Sequence, residues 1–268
     1  MKSFAAPLLV ASLLGCAQAH FLFGRLILNG HWTKTWEYIR EVQPKPDADA
    51  DLALIYPQTE PQSIDLRCGR NASDFTGTVK TATVLAGDTI GFAAGEPMLK
   101  GDVKPWIYHA GITSAWLSKA PSDDLDAYTG DGDWFKILSV TGRTAQSLDY
   151  SDPANAGYFD EFKSLWGTYR LDSYNFTIPK ATPPGKYLLR FEHIFPQEVD
   201  TQFYVNCAQI EVLENPNGGV EAPAPVVRIP GVYTRGQPDV YFATYLYSLT
   251  HNNSIESYVA PAPAVWGA

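Results

Sequence analysis

Five histidines, His20, His31, His109, His193 and His251, are the chain's whole supply of imidazole. If the chain is cut before His20, that residue offers two nitrogen donors at once, an imidazole and a free α-amino group that loses its proton near pH 8. One further imidazole opposite this chelating pair would complete a T of three nitrogens, the tetragonal set that favours Cu(II). His109 is the best partner, because it ends the run Trp106-Ile107-Tyr108 and is followed by Ala110-Gly111, where a chain can turn and present a side chain. His31 beside Trp32 and His251 beside Asn252 read as surface residues. His193, between Glu192 and Ile194, reads as packed in a strand or ion-paired.

Other chemistries find less support. Hydrolysis of a glycosidic bond needs two carboxylates about 5–9.5 Å apart. Asp123-Asp124, Asp131-Gly132-Asp133 and Asp160-Glu161 supply acids, but no motif singles out a pair. Asp47, Asp49 and Asp51 imitate the start of a calcium loop, yet Leu52 stands where glycine is needed and Gln58 where the closing glutamate belongs.

The elements that must position the histidines begin with a cut. Lys2, the uncharged apolar run from Phe4 to Leu14 and the small-residue ending Ala17-Gln18-Ala19 have the layout of a secretory signal peptide over residues 1–19. The run is shorter than the roughly 20 residues a spanning helix needs, so no membrane anchor is expected. With Lys2 gone, 19 basic side chains face 29 acidic ones, which argues against nucleic acid as a partner. Cys16 leaves with the signal, and Cys68 and Cys207 remain as an even pair in an oxidising compartment, where a disulfide is expected. Closing so long a loop should contribute roughly 4–5 kcal/mol in the chain-entropy account. Asn71, Asn175 and Asn252 head three glycosylation sequons.

Short aromatic and β-branched runs punctuated by turn residues predict strands at Thr81–Leu85, Thr89–Phe92, Trp106–Tyr108, Phe135–Leu138, Tyr187–Phe191, Phe203–Val205 and Ile210–Leu213. Helix is scarce, with one short turn expected between Asp160 and Leu165. Twenty prolines and 21 glycines suit an antiparallel all-β sandwich with long loops. Asn215–Ile229 reads as an extended strap, within a carboxyl-terminal segment over about 214–268 that closes a single domain from residue 20, with no carbohydrate-binding module after it.

The chain also resembles the fungal, cellulose-active lytic polysaccharide monooxygenases of auxiliary activity family nine. The landmarks are His20 with Asn29-Gly30 downstream, Leu66-Arg67-Cys68, Ala86-Gly87-Asp88-Thr89, His109-Ala110-Gly111, Trp134-Phe135-Lys136-Ile137 and Ile178-Pro179. They continue through Pro184-Gly185-Lys186-Tyr187-Leu188-Leu189-Arg190, Gln202-Phe203-Tyr204, Cys207-Ala208-Gln209 and Pro230-Gly231-Val232-Tyr233, so the match spans essentially the whole processed chain. The resemblance implies an immunoglobulin-like sandwich whose flat face carries one copper. The amine and imidazole of His20 and the imidazole of His109 would be its equatorial ligands, Tyr204 would stand at the axial position, and Gln202 would hydrogen-bond oxygen species. It also implies the Cys68–Cys207 bond. The reaction would use an external electron donor, hydrogen peroxide or dioxygen, and abstraction of hydrogen from C1 or C4 of an insoluble or soluble β-1,4-linked polysaccharide. A secreted monomer is expected.

Gln202 and Tyr204, two apart, share one face of a strand. Tyr233, Tyr241, Tyr245 and Tyr247 are candidates for stacking on sugar. Departures from the family concern Phe191, where active members have histidine, and Pro196 or Gln197, where they have a titratable histidine near the metal. Phe21 stands for threonine and Ile112 for proline. They leave open a copper-binding relative with weak or lost oxidation. His193, of the same strand parity as Phe191, is the candidate replacement.

Overall fold

The computed structural model describes residues 20–49, 52–75, 77–94 and 105–267; the expected signal segment 1–19, Cys16 and Asp51 lie outside the described residues. Nine strands form two sheets. In the first, β1 (Arg25–Leu28), β2 (His31–Trp32), β4 (Thr89–Ala93) and β7 (Ser173–Thr177) run in the order β2-β1-β4-β7. In the second, β3 (Ala82–Leu85), β5 (Ile112–Lys119), β6 (Phe135–Val140), β8 (Gly185–Phe195) and β9 (Gln202–Leu213) run in the order β3-β9-β8-β5-β6. All pairings are antiparallel except β3 with β9. The expected all-β sandwich is therefore present, and helix among the described residues is confined to four short 3-10 turns. Asp160–Leu165 is a turn.

The second sheet is covered on both faces, and this explains which strands were hard to read. On β8, Tyr187, Leu189 and Phe191 face the sandwich core, while Leu188 and Ile194 face a second apolar layer under the long loops. β5 carries seven consecutive buried residues, so its run Ile-Thr-Ser-Ala-Trp-Leu-Ser shows no alternation of polar and apolar positions. The sequence expectation missed it and placed a strand at Trp106–Tyr108 instead. Those residues form no strand; Ile107 donates to Leu171 O and accepts from Arg170 N. Phe203–Val205 and Ile210–Leu213 belong to one strand, β9. Asn29-Gly30, with φ of 51° and 79°, makes the two-residue hairpin turn that joins β1 to β2 and carries exposed His31.

The outer face of β8 holds a buried polar centre. Arg190 and Glu192, both fully buried, pair with one another. Arg190 donates to Leu66 O at 3.0 Å and Arg67 O at 3.0 Å, which fastens the 62–73 loop beside the Cys68–Cys207 disulfide. Glu192 accepts from Ser114 Oγ at 3.1 Å and from Tyr233 Oη at 2.8 Å, which fastens the carboxyl-terminal strap. The strap is further held where Val227 pairs with Trp134 and Trp266 packs edge-on to Phe135.

Burial alone would raise the Glu192 carboxyl, but the Arg190 charge and the hydrogen bonds from Arg190, Tyr233 and Ser114 hold it below its ordinary value of 4.5. The pair's stabilisation is therefore present above pH 4.5 and lost as pH falls through the lower folded-state value. Glu192→Leu, which leaves Arg190 buried and unpaired, should cost about 3–5 kcal/mol in denaturant unfolding, and adding Arg190→Met should recover much of it.

Candidate metal centre

At one end of the sandwich β8 leaves the second sheet, β9 enters it and β5 begins, and three of the sequence-nominated residues meet there. His20 and His109 have ring centroids 6.4 Å apart, and Tyr204 lies 6.3 Å from His20 and 5.7 Å from His109. Metal–imidazole nitrogen distances are about 2.0–2.1 Å, so one ion fits between two rings on opposite sides whose centroids are roughly 6 Å apart.

Each ring is placed by a separate element. The chain after His20 is pinned to β9, because Phe23 N donates to Asn206 Oδ1 at 2.9 Å and Phe21 stacks on Tyr204 at 4.1 Å and 9°. Phe195, the last residue of β8, stacks on His109 at 4.1 Å and 3°. Gly111 lets the chain after His109 press onto β8, for a Cβ there would sit 1.9 Å from Ile194 O. Gln202 and Tyr204 lie on the same face of β9, as their spacing predicted, and Tyr204 Oη donates to Gln202 Oε1 at 2.6 Å.

The donors are in the state a metal requires. Burial, with the nearby charges of His20 and Lys163, pushes the His109 imidazole down to about 3. Burial and Lys45 lower His20 also. Both rings are thus neutral near pH 7 with lone pairs available. His109 Nε2 is buried and has no hydrogen-bond partner, an orphan that a coordinated ion would satisfy. Burial raises the Tyr204 phenol far above its usual value, so it stays protonated. Among the described residues no three His, Cys, Asp or Glu side chains cluster; a free amine at His20 would add a third strong donor to the two imidazoles. Beside His20 opens a hollow of about 470 Å³ lined by Tyr56, Gln58, Ser63, Arg70 and Gln202, among others.

Several sequence expectations are corrected here. Phe191 is fully buried among Phe23, Phe92 and Phe176, so its replacement of histidine is a matter of core packing. His193, the candidate replacement, is fully buried with Nδ1 3.0 Å from Thr113 Oγ1, and its ring lies 6.3 Å from that of Tyr204 and 5.7 Å from that of Phe21. Gln197 turns its amide to Pro196 O at 3.0 Å. Tyr233 and Tyr241 are buried, and only Tyr245 of the four tyrosines is well exposed. Sequence reasoning missed the Phe195 wall and Tyr56, whose ring is 4.8 Å from that of His20. The strand parity of Phe195 with His193 was the signal for the first, and nothing local marks the second. The disulfide forms as expected. Asn71 and Asn252 are exposed, while Asn175 is half-buried on β7.

The sequence profile of Auxiliary Activity family 9 (formerly GH61) matches residues 20–256. The AA9 family lytic polysaccharide monooxygenase U of Thermothielavioides terrestris is 34% identical over 281 residues, covering 99% of both chains. Monooxygenase D of Phanerodontia chrysosporium is 34% identical over 275 residues, also covering 99% of both. In fold, the crystal structure of HiLPMO9B superposes with a TM-score of 0.66 at 23% identity, covering 93% of this chain and 100% of that one.

Because the added methyl of Gly111→Ala would collide with main chain, that variant should lose about 1–3 kcal/mol of stability. It should also displace His109 and weaken Cu(II) uptake in a calorimetric titration, whereas Gly157→Ala, with open space around it, should do neither.

Proposed function

We propose, from the premise that the chain belongs to Auxiliary Activity family 9, that it is a secreted copper-dependent monooxygenase cleaving β-1,4-linked glucans by oxidation at C1 or C4. Residues 1–19 are the export signal in this reading, and their removal frees the amine of His20. That amine, the His20 imidazole and the His109 imidazole would hold one copper, with the Tyr204 phenol beside it. When bound, the copper supplies one-electron redox chemistry that activates dioxygen or hydrogen peroxide for hydrogen abstraction, using electrons from an external donor.

The observation that carries the reading is the buried, partnerless Nε2 of His109, whose ring centroid lies 6.4 Å from that of His20. Around it the protein arranges the rest. Phe195 and Phe21 wall the site and keep water from one side of His109 and of Tyr204. Tyr204 stays a neutral phenol and donates a hydrogen bond to Gln202 Oε1, so the Gln202 amide nitrogen is left to donate to an oxygen species in the open hollow. No titratable side chain stands at position 197, so protons reach the hollow from solvent or from residues along its rim. The glycan passes over the same hollow, where the Tyr56 ring beside His20 offers a stacking surface.

Electron paramagnetic resonance of the processed protein with one equivalent of copper should give a type 2 Cu(II) signal. It should be lost in His109→Ala and in protein whose amino terminus is extended beyond His20, and an unchanged signal in both would refute the assignment. With reductant and peroxide, mass spectrometry should find oxidised oligosaccharides from amorphous cellulose or xyloglucan. A Cu(II) signal with no oxidised product from either would point instead to a copper-binding relative without oxidation.

A further inference from the structure

Apart from the His20 hollow, a cavity of about 280 Å³ is lined by Trp106, Leu148, Asn155, Tyr158, Arg170 and Asp172, among others. We propose that this cavity is a saccharide subsite that holds one neutral pyranose unit of the polysaccharide; the proposal rests on the function argued above.

The walls have the two surfaces that sugar recognition requires. Trp106 and Tyr158 meet at 84° with centroids 4.7 Å apart, which gives a corner of two aromatic faces for the C–H face of a pyranose. Polar groups stand on the same lining. Arg170 lies over the rings of Trp106, Tyr108, Tyr158 and Tyr169 at 5.2, 5.2, 5.8 and 5.5 Å. Its Nε donates to Tyr169 Oη at 3.3 Å, and among the described residues Nη1 and Nη2 make no hydrogen bond, so their four N–H groups are open to a ligand. Asp172 is exposed and accepts from Ser173 Oγ through Oδ1, leaving Oδ2 to accept from a hydroxyl. Asn155 is tied through Nδ2 to Asp149 O, which holds its carboxamide in place.

The charge on the lining decides between ligands. One guanidinium and one carboxylate face the cavity. An acidic sugar would pair with Arg170 but be repelled by Asp172, and a cation would meet the reverse, whereas hydroxyl groups use the donors of one and the acceptors of the other. The backbone here is fixed rather than adaptable. Arg170 holds a positive φ of 65°, and hydrogen bonds of 2.9 and 2.8 Å join Arg170 N to Ile107 O and Ile107 N to Leu171 O. Those bonds tie the cavity to the segment that ends in His109. Tyr108, under the Arg170 guanidinium, is the immediate neighbour in sequence of the proposed copper ligand His109.

Binding of cellohexaose and of a neutral xyloglucan oligosaccharide to copper-loaded, processed protein, measured by calorimetry without reductant, tests this apart from oxidation. Trp106→Ala, Arg170→Lys and Asp172→Asn should each weaken the better ligand by roughly tenfold. Asp172→Asn changes an exposed side chain and should fold normally. The Cu(II) spectrum should be the same in all three. Parent protein that binds, with all three variants equal to it, would overturn the subsite alone. Parent protein that binds neither ligand but gives the Cu(II) signal would overturn the subsite while leaving the copper assignment standing. Tighter binding of a glucuronate-bearing xylan oligosaccharide than of either neutral one would overturn the neutral-sugar assignment.

Discussion

The buried pairing of Arg190 with Glu192 on the outer face of β8 is the interaction on which the arrangement of loops depends. Two charges at zero exposure are costly to desolvate; the Glu192 carboxylate accepts from Arg190, Ser114 and Tyr233, and Arg190 bonds through Nε and Nη2 while its Nη1 has no hydrogen-bond partner among the described residues. The partners they use come from far away in sequence: Leu66 and Arg67 in the disulfide loop, Ser114 on β5 and Tyr233 in the strap. The pair contributes less as an isolated ion pair than as a fixed address to which loops separated by more than a hundred residues must return. The Cys68–Cys207 bond adds a covalent tie at the same place, with a sequence separation of 139.

The metal centre inherits its rigidity from that sheet. β8 ends in Phe195 against His109, β9 begins with Gln202 and Tyr204, and Gly111 closes the gap to Ile194 so that the His109 segment sits directly on β8. None of these contacts lies at the outer polar centre, yet all share its two central strands. A site built at strand ends is held more exactly than one built on loops alone, and a redox metal benefits because its ligands need not rearrange between oxidation states.

Aromatic side chains divide into three roles by depth. Phe23, Phe92, Phe176 and Phe191 stack in the core between the sheets. Phe21 and Phe195 wall the metal site from the side. Tyr56 is half-exposed and borders the hollow beside His20, and Trp106 and Tyr158, also half-exposed, border the separate cavity around Arg170. The same residue types thus serve as core, as shield and as the lining of open cavities, and their burial distinguishes them.

The sequence by itself carried the signals for the proposed chemistry: scarce histidines, a signal-like segment whose removal would free an amine at His20, one further imidazole before a turn, and Gln202 and Tyr204 two apart. It also determined the all-β class and the disulfide, because strand alternation and an even cysteine pair are local or compositional signals. Tertiary structure alone decided what those residues touch. Phe191 looked decisive for activity and proved to be core, since the side a β8 residue faces depends on which layer covers the sheet. β5 was invisible because burial on both faces erases alternation, and Trp106–Tyr108 looked like a strand although the chain there only bridges to Arg170 and Leu171. The tyrosines near the carboxyl end were indistinguishable in sequence, and Tyr233 went to Glu192 while Tyr56, from a distant loop, came beside His20. Contacts between residues a hundred positions apart leave no local trace, so the ligands were legible and their walls were not.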